Sequence, residues 1–79
     1  MPRFYLHICD RGSKIEDDEG YEFANVDAAR EEALESAREL MASDLREGKP
    51  LRLDRSFVVS DDGGMDLFTV QFRDALASE

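Results

Sequence analysis

The chain has 79 residues with one cysteine, one histidine and two prolines, and its acids outnumber its bases by 19 to 10. A lone cysteine closes no internal disulfide and cannot build a metal site from thiolates alone, which fits a reducing cytoplasm. No apolar run approaches the roughly 18 residues that a membrane helix needs. Met1-Pro2-Arg3 opens straight into a strand-like run without an apolar leader core, so neither secretion nor a membrane span is expected. The shortage of bases leaves a net charge of −9 and a pI near 4.4. Phosphate contacts demand a basic surface, so direct binding to DNA or RNA is not expected. A chain of this length makes one domain, residues 1–79, and buries only about 60 to 65% of its extended surface, so stability from a partner is expected.

What is present is organised around Asn25 to Gly48. Val26, Ala29, Ala33, Ala37, Leu40, Met41 and Leu45 recur at three- and four-residue steps, with Leu34 at one edge, and form the apolar stripe of a long helix. Glu31, Glu35, Arg38, Glu39, Ala42 and Arg46 make the opposite, solvated face. Asn25 or Asp27 is suited to cap the start, while Gly48 can close the end in the left-handed region and Pro50 forbids continuation. Roughly 22 residues at about 1.5 Å each give a rod of about 33 Å, long enough to cross a small sheet. Arg30 and Asp44 interrupt the stripe, so its ends are expected to overhang the core.

The flanking segments alternate as strands do. In Arg3 to Cys9, Phe4, Leu6 and Ile8 share one face, and Tyr5, His7 and Cys9 the other. Asp10-Arg11-Gly12-Ser13 reads as a turn, and Lys14-Ile15 with Tyr21-Glu22-Phe23 as a short or bulged second strand. Ser56 to Ser60 and Asp66 to Phe72 read as a second hairpin around Asp61-Asp62-Gly63-Gly64. A turn at Gly63-Gly64 sets Val59 opposite Phe68 and Phe57 opposite Val70, whereas a turn at Asp62-Gly63 pairs Val59 with Asp66; the first is preferred for its apolar pairs. Phe72 to Leu76 ends the pattern as a turn or one helical turn that can tuck Leu76 against the core. The fold class is therefore α+β, a β-β-α-β-β chain in which an antiparallel sheet of two hairpins carries one long helix on one face. The other face, with Tyr5, His7, Cys9, Val58, Leu67 and Thr69, is the candidate interface. A homodimer through that face or through a sheet edge is the expected assembly.

Candidate chemistry is sparse. His7 and Cys9 are two apart on one strand face, about 7 Å, near enough for one metal ion or for a nucleophile and base. No orienting group or oxyanion donor accompanies them, so both are read as interface residues, with no catalytic, cofactor-binding or metal site expected. Glu16-Asp17-Asp18-Glu19-Gly20 lacks calcium-loop spacing and reads as a charged turn. Asp61-Asp62-Gly63-Gly64 lacks the strand-to-helix setting of a phosphate loop. Lys49, Arg52 and Arg55 form a basic connector expected to offset acids of its own chain.

Several segments carry a resemblance. Met1-Pro2-Arg3-Phe4-Tyr5-Leu6-His7, Asp17-Asp18-Glu19-Gly20-Tyr21-Glu22, Asp27-Ala28-Ala29-Arg30-Glu31-Glu32-Ala33 and Phe72-Arg73-Asp74-Ala75-Leu76 together resemble a family of small alphaproteobacterial proteins of unknown function. That resemblance implies domain extent and order but no activity. The first half, with the helix Glu32 to Leu40, is also similar in architecture to antitoxin domains of the HicB type, although Phe23-Ala24-Asn25-Val26 stands where that family carries a proline-rich segment. This likeness implies a neutraliser of a small basic, RNA-binding or RNA-cleaving partner. The preferred function is a noncatalytic, cytoplasmic protein-interaction module.

Overall fold

Capping and small side chains on one face explain the central helix α1, which spans Val26–Arg46 in a computed structural model that describes residues 1–77. Asn25 has extended backbone, and its Oδ1 accepts from the Ala28 amide at 2.8 Å, satisfying one of the free donors of the first turn. At the other end Gly48 has φ of 76°, donating to Leu45 O at 3.1 Å while Lys49 donates to Asp44 O at 2.8 Å. These paired bonds satisfy the last carbonyls, and Pro50 follows. Ala29, Ala33 and Ala37 are wholly buried and Met41 nearly so. Their small size lets the helix approach the sheet closely, and the bulk of the core comes from the sheet. Val26 and Leu45 overhang in solvent, and Leu40 stands at the helix flank.

Five strands pair beneath it: β1 (Arg3–Asp10), β2 (Ser13–Ile15), β3 (Tyr21–Glu22), β4 (Ser56–Ser60) and β5 (Asp66–Gln71). The sheet is antiparallel in the order β2-β1-β4-β5, and β3 pairs separately with the start of β1. The expected second strand is thus two short pieces, with residues 16–20 looping between them. Phe4 and Leu6 from β1, Phe57 and Val59 from β4 and Val70 from β5 point at α1. Full burial of such side chains stabilises by about 1.5 to 3 kcal/mol each. The class and the single long helix between two antiparallel strand groups are as the sequence indicates.

Two local readings are corrected. Val59 pairs with Phe68 and Phe57 with Val70 as expected, but Ser60 pairs with Asp66, making Leu67 an extra residue in a bulge. The turn is wider than Gly63-Gly64 because the Asp61 carboxylate draws in the Gly63 and Met65 amides at 2.9 Å each. At the chain end the helical alternative holds, with Phe72–Ala77 forming a helix, α2, but β5 stops at Gln71 and the placing of Leu76 is the second correction. Phe72 and Ala75 are buried, and Leu76 is 55% exposed. Phe72 stacks on Phe57 with centroids 5.3 Å apart and donates its amide to Arg55 O at 3.0 Å. The ring fixes which side of α2 faces inward, and small Ala75 lets α2 sit close to α1, where Arg38 Nε reaches Ala75 O at 3.3 Å.

Candidate functional site

Alternation and register place the expected interface residues in cross-strand rows on the face away from α1. His7 lies beside Val58 and Val58 beside Thr69; Cys9 lies beside Ser56 and Ser56 beside Gln71; Tyr5 lies beside Ser60. None of these positions carries a formal charge, although 37% of the chain is charged; the charges of these rows lie at the edge strands, Lys14 beside Cys9 and Asp66 beside Ser60. Tyr5, His7, Cys9 and Val58 are half-buried, while Thr69 and Leu67 are exposed, Leu67 by 39%. Both helices pack on the opposite face, α2 through Phe72 on Phe57.

Part of that face is covered from its edge. On the edge of β1 away from β4, no strand lies beside Leu6 between the pairings with β3 and β2, and Asp17 of the loop at 16–20 takes that place. The Asp17 carboxylate accepts from the Leu6 amide at 3.2 Å, the Glu19 amide at 3.2 Å and the Gly20 amide at 3.1 Å. Partial burial works against its charge, but the amides of Gly20, Leu6 and Glu19 outweigh it and hold the carboxyl below the ordinary aspartate range. Gly20, at φ of 70°, lies against the Tyr5 ring, which leaves no room for a side chain there. Tyr5 in turn stacks parallel to His7, with centroids 6.4 Å apart, and its hydroxyl reaches Asp62 Oδ1 at 3.4 Å.

His7 is bound at both ring nitrogens. The Asp17 amide donates to Nδ1 at 3.1 Å, and Nε2 lies 2.7 Å from Ser60 Oγ. An accepting Nδ1 assigns the ring hydrogen to Nε2, which therefore donates to the serine. A histidine acting as base toward serine needs the opposite tautomer, with Nε2 free to accept. Ser60 is also only 2% exposed, out of reach of a substrate. In this geometry His7, Ser60 and Asp17 tie β1, β4 and the edge loop together. Cys9 is a half-buried free thiol between Lys14 and Ser56. No group of three or more His, Cys, Asp or Glu among the described residues is placed to hold a metal ion.

Sequence reasoning singled out Tyr5, His7 and Cys9 but missed Asp17, Gly20 and Ser60. A signal existed for the loop: Asp followed three residues later by Gly is a turn pattern in which the carboxylate takes up backbone amides. Nothing local marks Ser60 as the partner of His7.

The basic connector is occupied by its own chain. Arg55 binds Asp44 at 2.8 Å and lies 4.6 Å from the Phe72 ring centroid, Arg52 binds Asp10, and Lys49 binds Glu47 at 3.0 Å. On the helix side, between α1 and the interrupted sheet edge, an apolar groove of about 370 Å³ remains open. No helix among the described residues is long and apolar enough to cross a membrane.

These features define a two-layer α+β protein with a sheet face whose middle is uncharged and a histidine locked into its framework. The chain belongs to the family described as a domain of unknown function, DUF6894, whose model matches residues 3–73. No curated protein and no solved structure matches it.

Proposed function

We infer that the protein is a noncatalytic interaction module that assembles as a homodimer through the sheet face bearing Tyr5, His7, Cys9, Val58, Leu67 and Thr69. The observation that carries this reading is the block of uncharged residues Tyr5, His7, Cys9, Ser56, Val58, Thr69 and Gln71 on that face, with charged Arg3, Lys14 and Asp66 only at its margins, in so charged a chain. Three strands spaced about 4.8 Å apart, with three outward positions each, make a patch of roughly 300 Å². Apolar or uncharged patches of that size on small proteins commonly have partners. For a chain at −9, contact centred on uncharged residues also keeps like charges apart. The bound tautomer of His7 and the burial of Ser60 support a structural role for both. A single free thiol suits the cytoplasm.

Sedimentation of the untagged protein at about 10 µM, a concentration at which a dimer of micromolar affinity is populated, tests the reading. A two-chain mass that persists as salt rises is expected, with Leu67→Glu and Thr69→Glu shifting it to one chain. These positions are preferable to Tyr5, whose ring also packs on Gly20. A wild-type monomer, or variants that remain dimeric, would remove the sheet face from consideration. Copurification with a small basic protein that dissociates as salt rises would favour the neutraliser reading instead.

A further inference from the structure

The groove on the other side of the sheet has a different chemistry. It exists because the edge beside Leu6 is filled by a loop and not by a strand, so nothing extends under the flank of α1. Leu6, Ile8 and Phe57 form its floor, Ile15 and Tyr21 one wall, and Leu40 the other. Ile15 is 63% exposed, Tyr21 53% and Leu40 36%, a cluster of apolar surface that the chain itself leaves uncovered. The lining includes Glu16, Asp17 and Glu39 but no lysine or arginine. Asp17 is engaged by backbone amides. Glu16 and Glu39 are exposed and enter no ion pair among the described residues, whereas the acids Asp10, Glu35, Asp44 and Asp54 elsewhere are matched to arginines.

The geometry points to this groove as the docking site for a cationic, amphipathic segment of a partner protein, with apolar side chains on the Leu6–Ile8–Phe57 floor and lysines or arginines against Glu16 and Glu39. Charge decides the occupant. A second copy carries the same −9 and would bring acid against an acidic rim, while a basic segment gains from both the rim and the field of the whole chain. The apolar floor supplies what simple charge attraction lacks, a requirement for particular side chains. A volume of about 370 Å³ is at the small end of ligand sites, and an open trough of that size suits a few side chains of a segment. The site is separate from the sheet-face dimer, and failure of either reading leaves the other standing.

The test uses the full chain and two fluorescein-labelled peptides, Lys-Leu-Arg-Leu-Lys-Leu-Arg and its counterpart with alanine for each leucine. Binding is read by anisotropy at about 50 and 300 mM salt, where the Debye lengths are roughly 14 and 6 Å. Amide chemical shifts locate the contact. The leucine peptide is expected to bind saturably, more weakly at the higher salt, with shifts concentrated at Ile15, Tyr21 and Leu40. The alanine peptide, and the Glu16→Lys/Glu39→Lys double variant with the leucine peptide, are each expected to bind about tenfold more weakly. Both glutamates are exposed, so the variant keeps its fold, which the helical circular dichroism signal verifies. Absence of saturable binding, equal affinity for both peptides, an unaffected double variant or shifts centred on His7 and Thr69 would each overturn the proposal. Concentration-dependent shifts at Ile15 and Leu40 without peptide would overturn it too, by showing a second copy in the groove.

Discussion

Replacing Asp17 with alanine removes the acceptor for the amides of Leu6, Glu19 and Gly20. The Leu6 amide lies on a buried residue at the open edge of β1, where water reaches it poorly, and an unsatisfied donor there costs about 1 to 2 kcal/mol. The Glu19 amide turns to water, and together with Gly20 adds a few tenths, giving a total near 2 kcal/mol. In a domain of this size that lowers the thermal midpoint by roughly 10 °C. Asp17→Asn, which keeps one acceptor oxygen, is expected to lose about half as much. Asp18→Ala removes the same charge from an exposed residue with no bonded partner among the described residues, and is expected to stay within about 0.5 kcal/mol of wild type. Because the folded carboxyl is held below the ordinary range, its contribution is complete above about pH 4 and is lost as pH falls through the lower folded value. Thermal unfolding followed by circular dichroism from neutral to acid pH should show a gap between wild type and Asp17→Ala that is widest near neutrality and closes in acid. Equal losses for Asp17→Ala and Asp18→Ala would refute the reasoning, since net charge would then explain both.

Two further substitutions probe the same framework. Gly20→Ala places a methyl 2.8 Å from the Tyr5 ring and 2.9 Å from Phe4 O at a φ of 70°, whereas Gly48→Ala at φ of 76° meets nothing within 4 Å. Urea unfolding should therefore show about 1 kcal/mol lost at Gly48 and clearly more, about 2 to 4 kcal/mol, at Gly20. Arg55→Ala removes the Asp44 ion pair and the cation held over Phe72, and is expected to cost about 2 kcal/mol. Arg55→Lys should restore only part of this, and a double-mutant cycle with Asp44→Ala isolates the pair; a coupling near zero would assign the loss to packing on Phe72 alone.

How far each part was legible depended on how local its causes are. The bounds of α1 follow from Asn25, Gly48, Pro50 and a stripe of alanines, all within the segment they define. Strand alternation likewise assigned Tyr5, His7 and Cys9 to one face and Phe4 and Leu6 to the other. The wider β4–β5 turn was less legible because Asp61 competes for amides by its side chain, and pattern alone does not rank that against a glycine pair. Leu76 was misplaced for a related reason: whether Phe72 ends a strand or starts a helix changes which residues after it face inward.

By itself, then, the sequence determined the α+β class, the long capped helix, the two hairpins and the shared face of Tyr5, His7 and Cys9, because periodicity, capping and turn chemistry act over a few residues. Only the tertiary structure decided the order β2-β1-β4-β5, the inward turn of Asp17 and the union of His7 with Ser60, 53 positions away in the chain. It alone also left the groove open beneath Leu40. Those features arise where separate segments compete for the same unpaired backbone and the same apolar surface, and that competition is settled only when all of them are packed together.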